Sequence, residues 1–164
     1  MKKFLSLLII MIVAMVGCGT SDEVTEHVDE GKQGGEEVST LATSLKVEKE
    51  EDKLSFTISL TNKGEEAVML EFPTGQLFDF IVVNEKSEVL YKYSEGMMFT
   101  QAIVQKEVGP SETISFSDEW DLMVDGQRVP PGRYRVLGEL PIMTVNGSEA
   151  FREQFLVEEN VIIE

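Results

Sequence analysis

Lys53-Leu54-Ser55-Phe56-Thr57-Ile58-Ser59-Leu60-Thr61 decides the fold class. Leu54, Phe56, Ile58 and Leu60 occupy every second position, with Ser55, Thr57, Ser59 and Thr61 between them. Successive side chains of a strand point to opposite faces, so this alternation predicts a half-buried antiparallel strand. Asn62-Lys63-Gly64 breaks the pattern, and a second run follows from Ala67 to Phe72. The pair reads as a hairpin in which Gly64 supplies a positive φ at the turn.

Further strands are expected at Leu77 to Asn84, Glu88 to Tyr93, Ala102 to Val108, Thr113 to Trp120, Arg133 to Val145 and Ser148 to Val157. Ile114, Phe116 and Trp120 share a face, and Asn146-Gly147 is the best short hairpin signal in the chain. Pro130-Pro131-Gly132 opens a strand with turn chemistry. No amphipathic helix competes. Seven to nine short strands spaced by turn signals predict an all-β, immunoglobulin-like antiparallel β-sandwich.

The N-terminal part has a different composition. Met1-Lys2-Lys3 is a basic start, Phe4 to Val16 is an uncharged run of thirteen apolar or small residues, and Met15-Val16-Gly17-Cys18 closes it. A spanning helix needs roughly 20 apolar residues. The shorter run reads as a signal peptide over residues 1–17, with Cys18 at the place of the lipidated cysteine of a bacterial lipoprotein. Acyl chains on Cys18 would attach the protein to a membrane, on the extracytoplasmic face of the cell membrane. Residues 18–42 then form a lipidated start and an acidic tether. Between Gly19 and Ser39 stand seven acids, one lysine and four glycines, a composition that cannot bury enough surface to offset its ordering entropy. The sandwich is expected over residues 43–164.

Charge and residue inventory exclude several functions. All thirty acidic residues follow Cys18, and two of the fourteen basic ones, Lys2 and Lys3, precede it. Nucleic acid, whose phosphates demand clustered Lys and Arg, is not an expected partner. The single cysteine, Cys18, and the single histidine, His27, both lie before the sandwich, so neither a Ser-His-Asp nor a Cys-His arrangement can be assembled within it. No phosphate loop, zinc-ligand cluster or calcium-loop spacing is present. The chain therefore reads as a non-enzymatic protein without metal or cofactor, and as a monomer. The acid clusters Glu48 to Asp52 and Glu158-Glu159 read as solvated turns and termini.

Two segments depart from ordinary strand filler. The first is FPTGQLFDF, residues 72–80, in which Pro73 and Gly75 form a turn and aromatics alternate around Asp79. The second is YKYSEGMMFTQ, residues 91–101, a loop rich in large apolar groups. With PPGRYRVLGEL, residues 130–140, these phrases in this order and spacing resemble the BsuPI-type intracellular proteinase inhibitors. The resemblance runs from about Ser44 to Pro141. It implies an immunoglobulin-like sandwich and inhibition of a subtilisin-like serine protease. Tyr93 stands where a Trp is expected, and the export signal departs from a family named as intracellular.

On that resemblance, a substrate-like loop blocks the protease cleft, and a rigid loop binds tightly because little freedom is lost on docking. Gly96, Met97, Met98 and Phe99 are the candidate inhibitory loop, with Met97, Met98 or Phe99 entering an apolar S1 pocket. The plain alternative is that these three cap the end of the core, since Met fills irregular gaps well. Phe72, Pro73, Gly75, Gln76, Phe78, Asp79, Phe80, Thr100 and Gln101 are the remaining motif residues. Asp79 reads either as a loop-bracing acceptor of backbone N–H groups or as a contact residue. The competing function is a non-inhibitory adhesion or adaptor module that binds a protein or wall component.

Overall fold

The computed structural model describes residues 40–164, which form thirteen strands and one short 3-10 helix. The expected signal peptide, Cys18, His27 and nearly all of the expected tether lie outside the described residues. The strands are β1 (Leu41–Lys49), β2 (Leu54–Asn62), β3 (Val68–Phe72), β4 (Asp79–Asn84), β5 (Val89–Lys92), β6 (Val104–Val108) and β7 (Thr113–Trp120). They continue as β8 (Met123–Val124), β9 (Gln127–Arg128), β10 (Gly132–Glu139), β11 (Thr144–Val145), β12 (Ser148–Glu149) and β13 (Leu156–Ile163). Four of them have two residues each, so nine longer strands carry the architecture, in keeping with an immunoglobulin-like sandwich.

Every pairing is antiparallel. One sheet has the order β1-β2-β7, a second β13-β10-β4-β5, and a third β12-β11-β3-β6. The alternation in β2 is realised in full. Leu54, Phe56, Ile58 and Leu60 are all at 0% exposure, each contributing about 1.5–3 kcal/mol of burial. On the opposite face, Thr57 pairs with Ser117, Ser59 with Ser115 and Thr61 with Thr113 through hydroxyl bonds of 2.8–3.0 Å.

Aromatic rings lock the first sheet to the second. Phe56 meets Phe80 with centroids 5.3 Å apart, Phe78 stacks on Phe116 at 5.1 Å, and Tyr91 stacks on Trp120 at 5.8 Å. The Tyr91 hydroxyl donates to Asp118 across the same contact. Gly138 of β10 belongs to this packing as well. A Cβ there would lie 3.1 Å from Leu45 Cδ1 and 3.2 Å from Ile58 Cδ1, so the sheets approach closely where no side chain intervenes.

Three expectations are corrected. First, Asn62-Lys63-Gly64 is not a hairpin turn. β2 pairs with β1 and β7, whereas β3 pairs with β6 and β11, so the chain crosses between sheets there. Gly64 is not among the residues with positive φ. Instead, the Asn62 side chain takes up the broken backbone bonds, accepting from Gly64 N at 2.9 Å and donating to Glu66 O at 2.7 Å. Second, Arg133 to Val145 is not one strand. β10 stops at Glu139, before Pro141, which lacks the N–H needed to continue a ladder. Third, Ser148 to Val157 divides into β12, the 3-10 turn Arg152–Phe155, and β13, which runs on to Ile163. Phe151 N donates to Gln154 Oε1 at 3.0 Å, and Gln154 N returns a bond to Phe151 O at 3.0 Å, closing that turn.

The Asn146-Gly147 hairpin forms as expected. Both residues have positive φ, 48° and 78°, as a type I′ turn requires, and Val145 pairs with Ser148 across it. β1 begins at Leu41, two residues before the expected start of the domain. Its far end carries Glu48 and Lys49 of the acidic stretch, and Glu50 N closes the following turn on Lys53 O at 3.0 Å.

Candidate functional site

The two unusual segments meet at one end of the sandwich. β3 ends at Phe72, opposite Val104 of β6, and β4 begins at Asp79, opposite Glu139 of β10. The connection 73–78 and the long loop from Tyr93 to Ile103 therefore emerge side by side. The connection 140–143 and the 3-10 turn leave the same end.

Asp79 is the polar centre of this end, and it is buried. Its Oδ1 accepts from Ser94 N at 3.1 Å, while Oδ2 accepts from Ser94 Oγ at 2.6 Å and from Gln76 Nε2 at 3.1 Å. Lys92 Nζ stands 3.8 Å from Oδ2. Of the two roles open to Asp79, the geometry is that of the bracing acceptor. Gln76 also reaches Phe78 O at 3.4 Å, and its own N–H is taken by Thr74 Oγ1 at 3.1 Å.

A second tie joins the segments at the other foot of the loop. Gly75 N donates to Thr100 O at 2.9 Å, and a Cβ on Gly75 would lie 2.5 Å from Thr100 Oγ1. Only glycine fits this approach without movement, which explains the glycine that follows Pro73. Phe72 and Phe80 are core residues. Phe78 stacks on Tyr93 at 4.3 Å and contacts Phe80 and Phe116, so the motif's aromatics hold the base of the loop from beneath.

Above these ties the loop is exposed. Glu95 N donates to Lys92 O at 3.1 Å and Met97 N to Ser94 O at 3.2 Å, forming two successive turns, with Gly96 at φ 73° in the second. Met97 is 50% exposed and Met98 is 98% exposed, while Phe99 is half-buried. Capping of the core by both methionines is thus corrected: both are exposed, and of the three only Phe99 is partly buried. Gln101 Nε2 donates to Phe99 O at 3.1 Å. Ile103, Met143 and Phe151 are also exposed at this end, giving it an apolar character that single surface residues do not.

Glu139, across from Asp79, receives Arg152 through two bonds of 2.5 Å, from Nε to Oε1 and from Nη2 to Oε2. The Glu139 carboxylate holds the Arg152 guanidinium above its ordinary range. Sequence reading did not identify Ser94, Glu139 or Arg152; Ser94 within the second motif was the visible signal for the first of them. Among the described residues, no group of three or more His, Cys, Asp or Glu is placed to hold a metal ion.

Several solved structures show distant likeness. A β-glucosidase from Erythrobacter marinus is 15% identical with a TM-score of 0.39, covering 74% of this chain and 15% of its own. β-Glucosidase 3B from Thermotoga neapolitana is 14% identical with a TM-score of 0.39, covering 75% and 16%. A penta-heme cytochrome c552 from Thermochromatium tepidum is 10% identical with a TM-score of 0.43, covering 78% and 40%. The chain thus spans a small part of these proteins, and likeness at this level carries no argument. No curated protein sequence matches the chain.

The matching family model is BsuPI, described as an intracellular proteinase inhibitor, over residues 41–145. That span opens at β1 and closes at β11, and it contains both loop segments. The description points to the cytoplasm and corrects the expectation of an extracytoplasmic location. That expectation rested on the composition of a segment outside the described residues, whereas the match rests on the folded domain. With more than half of its length matched, the chain belongs to the BsuPI intracellular proteinase inhibitor family.

Proposed function

We propose that this protein is a monomeric, non-enzymatic inhibitor of a subtilisin-like serine protease in its own compartment, and that Gly96, Met97, Met98 and Phe99 occupy the protease cleft. The family supports a protease as the class of target. The observation that carries the choice of loop is the exposure of Met97 and Met98 between two anchored feet. A subtilisin-like S1 pocket takes large apolar side chains, and Met98 is the most exposed apolar side chain of the loop.

The physical basis is differential ordering. A flexible substrate loses conformational freedom when it docks, about 0.5–1.5 kcal/mol for each immobilised long side chain together with the backbone term. A loop whose feet are already fixed loses less, so it competes with substrate without needing a larger contact area. The test is titration of the full chain into a subtilisin-like protease hydrolysing a chromogenic peptide. Stoichiometric loss of activity, with the chain left uncut, supports the reading. Unchanged hydrolysis would leave a binding module without inhibitory action.

A further inference from the structure

We infer that the difference between inhibitor and substrate is set in this protein by two ties beneath the loop, Asp79 to Ser94 at one foot and Gly75 to Thr100 at the other. Asp79, Ser94, Gly75 and Thr100 are positioning residues: none needs to touch the protease, and each acts through the backbone between residues 94 and 100. The inference rests on the reading of Gly96 to Phe99 as the inhibitory segment.

The ties have different chemistry. At the first foot a buried carboxylate accepts both the backbone N–H and the hydroxyl of Ser94, at 3.1 and 2.6 Å, so that residue is held at two points. Hydrogen bonds to a charged acceptor are roughly twice as strong as neutral ones. Gln76 Nε2, at 3.1 Å, holds the carboxylate itself in orientation. At the second foot the tie is a backbone bond of 2.9 Å, and a Cβ on Gly75 would crowd the Thr100 hydroxyl beside it at 2.5 Å. Between the feet, Met97 N donates to Ser94 O, the one backbone–backbone bond of residues 96–99 among the described residues, so the tip relies on its feet for its shape. The pairing also gives a physical reason for the two motifs to occur together, since each tie takes one partner from 72–80 and the other from 91–101.

The second foot allows a compensation test. Gly75→Ala places a Cβ against Thr100 Oγ1, whereas Gly75→Ala with Thr100→Ala removes that oxygen and leaves contacts of 3.4 and 3.6 Å to Thr100 N and Cβ. Asp79→Asn tests the first foot, replacing one acceptor oxygen by a donor and removing the charge facing Lys92.

The experiment compares the full chain with Gly75→Ala, Thr100→Ala, the double variant and Asp79→Asn. It reads inhibition of a subtilisin-like protease, the position of any cut, and amide hydrogen exchange over residues 93–101. Expected are inhibition weakened about tenfold or more in Gly75→Ala and Asp79→Asn, cleavage between residues 96 and 99, and faster exchange in that segment. In the double variant, inhibition and exchange return toward the parent, which general destabilisation would not produce. Undiminished inhibition by Gly75→Ala, or failure of Thr100→Ala to restore it, overturns the inference. If the parent chain inhibits nothing, the proposed function fails, and exchange then decides the ties separately. Faster exchange in Gly75→Ala that Thr100→Ala reverses sustains them; unchanged exchange removes them.

Discussion

The side-chain amide of Asn62, at the end of β2, donates to the carbonyl oxygen of Val108, at the end of β6, across 3.1 Å. These strands belong to different sheets, and Asn62 is at 0% exposure. The same side chain serves Glu66 O and Gly64 N, so one residue satisfies three backbone groups at the crossover. Asn62→Ala is expected to destabilise the fold by about 2–4 kcal/mol, because buried groups lose their partners. Urea unfolding checks this, and a change below about 0.5 kcal/mol would contradict it.

Tyr91 gives a pH dependence. Burial and the bond to Asp118 push its hydroxyl well above the usual tyrosine range near 10.0. The folded state therefore favours the protonated phenol. Its contribution is present in full below pH 10 and is lost as pH rises through the folded value. Unfolding free energy measured from pH 8 to pH 11 is expected to fall at the alkaline end, and less so in Tyr91→Phe. An identical alkaline slope in the two proteins would contradict the assignment.

Tyr134 offers a control far from the loop. Its hydroxyl donates to Pro130 O at 2.5 Å, and in β10 it stands opposite Asn84, at the other end of β4 from Asp79. Tyr134→Phe is expected to cost about 1 kcal/mol in stability while leaving the inhibition constant unchanged. Thermal unfolding and protease titration read the two effects separately. A parallel loss of inhibition would show that the loop responds to general destabilisation.

What was legible in the sequence followed from local pattern. Leu54 to Leu60 fixed a buried face because period two is a local property, and Asn146-Gly147 fixed a hairpin because its backbone preference is local. Asn62-Lys63-Gly64 misled, since alternation says which face is buried and not which strand lies alongside. Pro141 was visible, but the apolar residues around it masked the end of β10. The site was legible as two motifs and not as a construction. Gly75 and Thr100, like Asp79 and Ser94, are far apart in sequence, and only the topology brings them together. Composition also could not tell that Met97 and Met98 are exposed while Phe99 is partly buried, because all three suit either environment.

Met98→Asp is expected to weaken inhibition by about tenfold to a hundredfold, as loss of an apolar anchor from a desolvated pocket does, with little change in thermal midpoint, since the side chain is 98% exposed. Met97→Asp is expected to have the smaller effect. Equal inhibition by parent and Met98→Asp would move the contact away from the loop tip, to the surface around Phe151 and Ile103.

The most direct measurement is hydrolysis of a chromogenic peptide by a subtilisin-like protease as the full chain is titrated in, followed by mass analysis of the chain afterwards. Activity lost in proportion to added chain, with residues 96–99 uncut, is the expected result. Full activity at equimolar chain, or rapid cleavage between Gly96 and Phe99 without inhibition, would contradict the assignment of this loop as the inhibitory element.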